Sequence, residues 1–201
     1  MKQVVLIFAK NLIYGKVKTR LAATAGNDVA FSVYKELLQH TKEITKDINI
    51  DKIVFYSDPI EALDIWSDET FNKQIQNGND LGERMQNAFA YAFKNGYEEA
   101  IIIGTDCFEL TSLIINQAFS HLKDNDIVIG PAEDGGYYLL GMKKLHTELF
   151  QDISWSTAYV LQQTVAICSK ENLTYQLLQE LSDIDDEKDL LKTKLELIKG
   201  V

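Results

Sequence analysis

The sequence predicts a three-layer α/β/α sandwich built on a mostly parallel β-sheet, and two observations support this fold class. Short apolar runs without polar alternation recur along the chain, as expected for strands that are buried on both faces of a parallel sheet. Segments with helical spacing of apolar residues lie between these runs, and this alternation is typical of α/β proteins. We expect one domain over residues 1–201, because no long linker, low-complexity segment or internal repeat interrupts the chain.

Buried strands are predicted where the apolar runs are densest. They are Val4 to Phe8, Ile53 to Tyr56, Ala100 to Ile103, Ile127 to Gly130 and Leu173 to Leu178. Tyr137 to Leu140 also has strand character, but it follows an Asp-Gly-Gly turn and breaks the alternation of strands with helices. We therefore expect an antiparallel insertion at this point of the sheet.

Helices are predicted from apolar spacing combined with capping residues. The expected starts are Asn27 or Asp28, Pro59, Asp80, Thr111, the Trp155-Ser156-Thr157 segment and Asp186. The helix after Trp155 is expected to run to about Ser169 and the last helix to Ile198. Gly96 stands where the C-terminal glycine of a helix is expected. Lys10 to Arg20 is predicted to be a loop that follows the first strand.

Composition and charge exclude several classes of protein. The net charge of -10 and the sequence pI near 4.8 argue against nucleic-acid binding through a generally basic surface. The two cysteines, Cys107 and Cys168, cannot build a disulfide framework and indicate a reducing compartment. Val4 to Ala9, the longest apolar run near the N-terminus, is too short for a signal segment or a membrane span. We expect a cytoplasmic protein whose oligomeric state the sequence leaves open.

The segment Ile101-Ile102-Ile103-Gly104-Thr105-Asp106-Cys107 places a carboxylate directly after a buried strand. Ligands of open parallel sheets bind outside the carboxyl ends of the strands. Asp106 is therefore a candidate ligand of a magnesium ion that bridges to phosphate oxygens. The alternative is an ordinary turn aspartate that ends a strand. No histidine near in sequence would activate Cys107, which is interpreted as a packed thiol.

A basic loop follows the first strand of this otherwise acidic protein. It carries Lys10, Lys16, Lys18 and Arg20 within eleven residues. Lysine and arginine neutralise phosphate charge, and Gly15 allows close approach of the backbone. The spacing matches neither a P-loop nor a Rossmann fingerprint. The loop is therefore a candidate phosphate site, with a solvated basic turn as the alternative.

Three further segments carry candidate binding residues. In the segment Gly130 to Gly141, Glu133 and Asp134 are candidates for contacts with a metal or a hydroxyl group. The backbone amides of Gly135 and Gly136 are candidates for contacts with an anion. An ordinary hairpin turn also fits this segment. The aspartates of Asp183 to Asp186 are candidates for a second metal ligand or for a helix cap. Trp155-Ser156-Thr157 and Arg84 lie at predicted helix starts, where either anion binding or simple capping is expected.

Six segments in this order resemble one bacterial family. They are FAKNLIYGKVKTRL, NGNDLGERMQNAF, IIIGTDCFEL, DIVIGPAEDGGYYLLG, DISWSTAYVL and DIDDEKDL, and they span nearly the whole chain. They resemble the glycosyltransferase-A-like family, once a domain of unknown function, whose members are often described as nucleotide-diphospho-sugar transferases. The chain is similar, more distantly, to guanylyltransferases that activate phospholactate or phosphoenolpyruvate. It lacks the Asp-x-Asp motif of typical glycosyltransferases of this fold, because Cys107 and Phe108 follow Asp106.

The resemblance implies a transferase site with magnesium or manganese as cofactor. The predicted nucleotide-binding residues are Ala9, Lys10, Gly15, Lys16, Lys18, Thr19, Arg20, Arg84 and Thr105, and the predicted metal ligands are Asp106 with Asp183 or Asp185. The predicted acceptor-binding residues are Glu133, Asp134, Gly135, Gly136, Tyr137, Trp155, Ser156 and Thr157, and Lys18, Arg20 and Asp106 are predicted to be catalytic.

Two reactions fit this site nearly equally, and the family resemblance places glycosyl transfer first, with nucleotidyl transfer as the alternative. In the first, a nucleotide-sugar donates its sugar to a small acceptor, as the family description suggests. In the second, a small phosphorylated metabolite attacks a nucleoside triphosphate and releases pyrophosphate, which the lysine-rich loop and the single metal aspartate favour. A nucleotide-binding module without catalysis is the third possibility. The nucleotide base and the acceptor stay open.

Overall fold

One mixed sheet organises the part of the chain that the computed structural model describes, residues 1–60 and 64–193. Its seven strands are β1 (Gln3–Ala9), β2 (Asp51–Tyr56), β3 (Asn72–Ile75), β4 (Glu99–Ile103), β5 (Ile127–Pro131), β6 (Tyr137–Met142) and β7 (Tyr175–Leu177). The spatial order is β3-β2-β1-β4-β6-β5-β7. All strands run parallel except β6, which lies antiparallel between β4 and β5. The predicted fold class and its antiparallel insertion are confirmed.

Helices cover both faces of the sheet and complete three layers. They are α1 (Thr19–Ala25), α2 (Asn27–Lys46), α3 (Leu81–Lys94), α4 (Ser112–Leu122), α5 (Val160–Lys170) and α6 (Glu187–Lys192), with a 3-10 helix at Thr147–Phe150. One apolar cluster joins the sheet to α1, α2, α4 and α6, and a second cluster joins the other face to α3 and α5. Among the described helices, none is both long and apolar enough to cross a lipid bilayer.

The carboxyl ends of the parallel strands lie together along one edge of the sheet. This edge runs across the strands and differs from the lateral edge that β3 forms. Ala9 at the end of β1 is paired with Tyr56 at the end of β2, and Ile7 is paired with Ile103 at the end of β4. The chain leaves β5 and enters β6 at this same edge, because β6 is antiparallel to its neighbours. The topology therefore gathers the loops after β1 and β4 with the turn before β6.

The helix caps that the sequence predicts for α3, α4 and α6 are confirmed. The side chains of Asp80, Thr111 and Asp186 each accept a hydrogen bond from a backbone N–H group of the first helical turn. Gly96 follows α3 with a left-handed φ of 80°, as expected for a C-terminal glycine. These caps satisfy N–H groups that have no partner within the helix, so they fix where each helix begins.

Several predicted boundaries are wrong for identifiable reasons. Gly26, rather than Asn27 or Asp28, is the N-cap of α2. Helix α5 begins at Val160 instead of Ser156, because Ser156 has a left-handed φ of 61° that no helix accepts. The last predicted strand is shorter than expected and comprises only Tyr175–Leu177.

Three elements are missing from the sequence prediction, namely β3, α1 and the 3-10 helix at Thr147–Phe150. Strand β3 has the polar sequence Asn-Lys-Gln-Ile, which carries no apolar signal because the strand lies at the sheet edge. Helix α1 contains Thr19 and Arg20, which were predicted to belong to the loop.

The helix predicted from Pro59 extends over residues 61–63, which lie outside the described residues. The last helix was predicted to reach Ile198, but α6 ends at Lys192, because Thr193 has an extended backbone. Residues 194–198 lie outside the described residues.

Candidate active site

A cavity of about 640 Å³ opens at the edge where the parallel strands end. The loops after β1 and β4, the start of α3, the turn before β6, the segment before α5 and the segment before α6 all contribute to its walls. This volume lies within the range of small-molecule and cofactor sites. The cavity therefore has the size of a small-molecule binding site.

Most of the predicted site residues line this one cavity. They are Ala9, Lys10, Lys16, Lys18, Thr19, Arg20, Arg84, Thr105, Asp106, Asp134, Gly136, Tyr137, Trp155, Ser156, Thr157, Asp183 and Asp185. Gly15, Glu133 and Gly135 do not belong to its walls. The exposed carboxylate of Glu133 pairs instead with Lys192 at 3.2 Å, so it lies on the outer surface beside α6.

Lys18 is the centre of the charged part of the site. Its Nζ lies 2.8 Å from Asp106 Oδ1 and 3.2 Å from Asp185 Oδ1, and only 5% of its side chain is exposed. Burial lowers the pKa of Lys18, but the carboxylates of Asp106 and Asp185 outweigh burial and raise that pKa above its usual value. The exposed guanidinium of Arg20 approaches Asp185 Oδ2 at 3.7 Å. The loop after β1 is therefore ion-paired with residues from two distant parts of the chain.

The backbone holds Asp106 and the segment before α6 together. The N–H group of Ile184 donates to the Asp106 carbonyl at 3.0 Å. This bond places Asp183 and Asp185, which flank Ile184, beside the loop that follows β4. The predicted convergence of Asp106 with these aspartates is therefore present in the fold, although the residues are far apart in sequence.

Asp183 is the least satisfied carboxylate of the site. Its Oδ1 atom is buried and has no hydrogen-bond partner among the described residues. Burial, followed by the negative charges of Asp106 and Asp134, raises the pKa of Asp183 to about 7. A buried oxygen without a hydrogen-bond partner indicates that a cation or a hydrogen-bond donor binds beside it.

The oxygen donors present fit a magnesium ion. Asp106 and Asp185 converge on one cation, the Lys18 ammonium, and Asp183 adds the unpartnered oxygen. Magnesium takes one or two protein carboxylates and completes its shell with water and phosphate oxygens. No three His, Cys, Asp or Glu side chains in the described residues form a preassembled metal centre. The residues thus fit an ion that arrives with its own phosphate ligands.

The hydroxyl group of Tyr34, in α2, forms hydrogen bonds with both of the loops that carry the charged residues. Its hydroxyl accepts from the Lys10 backbone N–H at 2.8 Å, donates to the Lys10 carbonyl at 3.1 Å and lies 3.2 Å from Thr105 Oγ1. Burial and the nearby Asp106 raise the pKa of Tyr34, so the hydroxyl stays neutral. The phenol therefore sets the distance between the loop after β1 and the loop after β4.

Backbone contacts position the other half of the cavity. The N–H groups of Gly135 and Gly136 donate to the Ala132 carbonyl and to Asp134 Oδ1, so both amides are engaged within the turn rather than directed at a ligand. Gly135 also accepts from Leu161 N–H at 2.9 Å, which attaches the turn to α5. Because α5 begins after the Trp155-Ser156-Thr157 segment, that segment is a turn on the cavity wall and not a helix N-terminus.

The remaining predictions concern residues at the margin of the site. Cys107 is only 3% exposed, and burial raises the pKa of its thiol, as expected for a packed thiol. Ser57, Gln76, Leu81 and Met85 line the cavity but were not predicted. Ser57 directly follows β2, so the rule that ligands bind at the carboxyl ends of strands could have found it. Gln76 follows the polar strand β3, which gives no such signal.

Solved structures share this architecture and define its class. A protein from Desulfovibrio desulfuricans G20, described provisionally as a nucleotide-diphospho-sugar transferase, is 33% identical; the match covers 94% of this chain and 85% of that chain, with a TM-score of 0.87. CMP:2-keto-3-deoxy-manno-octonic acid synthetase in complex with CTP is 12% identical over 96% of both chains, with a TM-score of 0.53. Rv0371c from Mycobacterium tuberculosis H37Rv, in complex with manganese, is 10% identical over 100% of both chains, with a TM-score of 0.56. The chain therefore belongs to the transferases of the nucleotide-diphospho-sugar transferase fold.

The family follows from the sequence. Residues 40–157 match the family described as "Uncharacterized protein conserved in bacteria (DUF2064)", and the chain belongs to this family. Comparison with curated protein sequences gave no match. The family resemblance predicted from the six ordered motifs is thus confirmed.

Proposed function

We propose that the protein is a magnesium-dependent nucleotidyltransferase that joins a nucleoside triphosphate to a small phosphorylated metabolite and releases pyrophosphate. One observation carries this proposal. The buried Lys18 ammonium lies within 3.2 Å of two carboxylates at the edge of the sheet where ligands bind. Transfer at phosphorus depends mainly on positioning and on neutralising negative charge, and a buried cation beside two metal-type oxygen donors provides both.

The acceptor side of the cavity supports a phosphorylated acceptor. Transfer to a neutral hydroxyl group needs a general base, whereas a phosphate monoester is already an anionic nucleophile. Apart from Asp106, Asp183 and Asp185, the only carboxylate among the described lining residues is Asp134. Asp134 is exposed, and its Oδ1 is engaged by the Gly136 amide. A nucleophile that arrives ionised suits this wall better than a hydroxyl group.

The proposed reaction assigns a role to each part of the cavity. A phosphate oxygen of the acceptor attacks the α-phosphorus, a new P–O bond forms, and the bond to the β-phosphate breaks as pyrophosphate leaves. Lys18 and Arg20 would neutralise the α-phosphoryl oxygens, while Lys10 and Lys16 would hold the β- and γ-phosphates. Arg84 would contact the base or a phosphate group. The organic part of the acceptor would lie against Asp134, Gly136, Tyr137 and the Trp155-Ser156-Thr157 turn, with its phosphate group directed away from Asp134 toward the cations of the site.

Asp106 and Asp185 would hold magnesium or manganese, with Asp183 as an additional oxygen donor. When bound, the ion would neutralise negative charge on the phosphate groups. Two structures of the same fold lend support, since one is described as a complex with CTP and another as a complex with manganese.

Glycosyl transfer from a nucleotide-sugar is the second candidate function. The observation in its favour is the 33% identity to a protein that is described provisionally as a nucleotide-diphospho-sugar transferase. In this reaction the same cations would neutralise the nucleoside diphosphate that leaves from the anomeric carbon.

A thermal-shift panel separates the two candidates. The protein is heated with each nucleoside triphosphate and with each common nucleotide-sugar, with and without magnesium. A ligand that binds only the native state raises the melting temperature. We expect magnesium-dependent stabilisation by one triphosphate, which would also identify the base. Stabilisation by a nucleotide-sugar beyond that of its bare diphosphate would instead favour glycosyl transfer.

Pyrophosphate release tests catalysis directly. The protein is incubated with the stabilising triphosphate and a panel of small phosphorylated metabolites. We expect Asp106→Asn to abolish release, whereas Asp124→Asn, at an exposed carboxylate outside the cavity, is expected to leave release unchanged. Nucleotide binding by the unmodified protein with no product from any acceptor would indicate a binding module without catalysis.

A further inference from the structure

Lys18 has a position that its predicted role in phosphate binding does not explain. A phosphate-binding lysine that waits for substrate is expected to extend into the cavity. The Lys18 side chain is instead 95% buried, its exposed fraction being 5%, and its Nζ lies between Asp106 Oδ1 and Asp185 Oδ1. These two oxygens are the ones assigned above to magnesium.

We propose that Lys18 is an internal cation that occupies the metal position in the nucleotide-free protein, so that the metal enters only together with the nucleotide. This inference rests on the proposed function and deepens it. An ammonium and a divalent cation repel one another strongly at the distance that shared oxygen ligands impose. Lys18 must therefore leave the carboxylates before the ion binds, and the incoming phosphates offer it another anion.

The local backbone supports a side chain held by these contacts. Lys18 has φ 45° and ψ 49°, the left-handed conformation that residues other than glycine adopt at an energetic cost. Lys18 is also the residue directly before α1, where the chain turns from the loop into the helix. The ion pairs with Asp106 and Asp185 offset the cost of this conformation while the lysine remains between them.

The surrounding charges explain why a cation is needed there before substrate arrives. Asp106, Asp183 and Asp185 bring three carboxyl groups together, and the buried Asp183 Oδ1 has no partner among the described residues. The guanidinium of Arg20 reaches only the outer oxygen of Asp185 at 3.7 Å and is largely exposed. Lys18 is therefore the buried counter-charge of this group.

The test is a titration of the nucleotide-free protein with manganese, in which binding is measured by electron paramagnetic resonance or by calorimetry. We expect weak binding by the unmodified protein and at least a tenfold gain in affinity for Lys18→Met, which frees both carboxylates. Lys18→Arg keeps the cation and is expected to show no gain. Lys16→Met removes the same charge from the same loop without touching the carboxylates, so its manganese affinity is expected to match that of the unmodified protein.

A double variant and a replacement variant make the outcome decisive. Asp185→Asn in the Lys18→Met background is expected to remove the gain, which shows that the ion uses the freed site. If Lys18→Met does not fold, Lys18→Gln replaces it, because its amide still donates to a carboxylate. Manganese affinity of folded Lys18→Met or Lys18→Gln equal to that of the unmodified protein would overturn the inference. This titration needs no turnover, so its result is independent of whether pyrophosphate release is found.

Discussion

At the scale of single residues, Asp183 illustrates a cost that the site imposes on the fold. Its Oδ1 is buried without a partner among the described residues, and Asp106 and Asp134 add like charge. A buried carboxylate without compensating donors destabilises the folded state. The same oxygen is useful once a cation binds beside it. Stability and function therefore place opposite demands on this residue.

Asp183→Asn is expected to stabilise the nucleotide-free protein, because the amide has nearly the same shape and carries no charge. We expect the free energy of unfolding to rise by about 1–2 kcal/mol, because the buried charge and its repulsion by Asp106 and Asp134 are removed. Urea unfolding monitored by circular dichroism measures this change. Asp185→Asn is the matched control: it removes the ion pairs to Lys18 and Arg20 and should lower stability. A loss of stability in both variants would contradict this explanation.

Individual site residues were predictable where a local signal marked them. Asp106 and Thr105 follow an obvious buried strand, and Lys10 to Arg20 stand out as basic in an acidic chain. The partners of Lys18 were not predictable from local pattern, because Asp106 and Asp185 lie far from it along the chain and only the fold brings them together. The segment before α6 was marked by its cluster of aspartates, and the family resemblance matched the same positions.

At the scale of elements, close packing of Gly82 against Trp155 joins α3 to the turn on the cavity wall. A Cβ atom at Gly82 would lie 2.3 Å from Trp155 Nε1 and 2.5 Å from Trp155 Cε2. These distances are far below van der Waals contact. The start of α3 can therefore approach the turn before α5 only because residue 82 has no side chain.

Gly82→Ala is expected to push Trp155 away and to loosen the cavity wall. We expect the free energy of unfolding to fall by about 1–3 kcal/mol, as for overpacking in a core. Trp155→Phe provides room for the new methyl group, so the double variant should be more stable than the sum of the single changes. Gly104→Ala is the control, because its Cβ would meet nothing within 4 Å. Strict additivity of the two changes would show that this contact does not join the elements.

His40 links α2 to the segment that follows the β4 loop. Its Nε2 lies 2.9 Å from the Leu110 carbonyl, to which the neutral ring donates, and the ring packs against Phe108 with centroids 4.6 Å apart. Burial lowers the pKa of His40, and the hydrogen bond to Leu110 only partly offsets this effect. Burial likewise lowers the pKa of His146. The folded state therefore prefers both rings neutral.

The raised pKa of Asp183 favours the folded state as the pH falls through about 7, but we expect the contribution of His40 and His146 to folding stability to decrease as the pH falls below about 6.5, the pKa of an unperturbed histidine. Protonation of the unfolded chain begins there, while the folded state resists it until the pH passes the lowered pKa, so stability is present above this window and lost through it. His40→Gln keeps an N–H donor and should flatten the melting-temperature profile between pH 7 and pH 5. His121→Gln, at an exposed histidine, should leave the profile unchanged. An unflattened profile for His40→Gln would exclude His40 as a source of acid sensitivity.

Elements were predictable in proportion to how deeply they are buried. The central strands β1 and β4 are apolar runs because both of their faces are covered, and Asp80 and Thr111 mark helix starts because their side chains satisfy free N–H groups. Strand β3 escaped prediction because an edge strand needs no apolar run. The start of α5 was misplaced because Ser156, a favoured capping residue, lies in a left-handed turn instead.

At the scale of the whole molecule, the topology concentrates chemistry at one edge of the sheet. The order β3-β2-β1-β4-β6-β5-β7 brings the ends of β1, β4 and β5 together with the start of β6. The opposite edge also carries a cavity, of about 460 Å³, lined by residues 1–3, 48–52, 68–70 and 72. That second cavity gathers residues from the starts of β1, β2 and β3, away from the charged cluster at Lys18.

Amide hydrogen exchange, measured with and without magnesium and the stabilising triphosphate, tests which end of the strands binds the nucleotide. Because binding rigidifies the loops that contact the ligand, we expect slower amide exchange in residues 9–20, 104–107 and 181–186. The residues around the second cavity serve as an internal control in the same sample and should exchange at unchanged rates. If amide exchange became slower only in residues 48–52 and 68–72, the nucleotide would bind at the second cavity, beside the starts of β1, β2 and β3. That result would also remove the role of the Lys18 cluster in binding, because its ion pairs lie at the opposite ends of the strands.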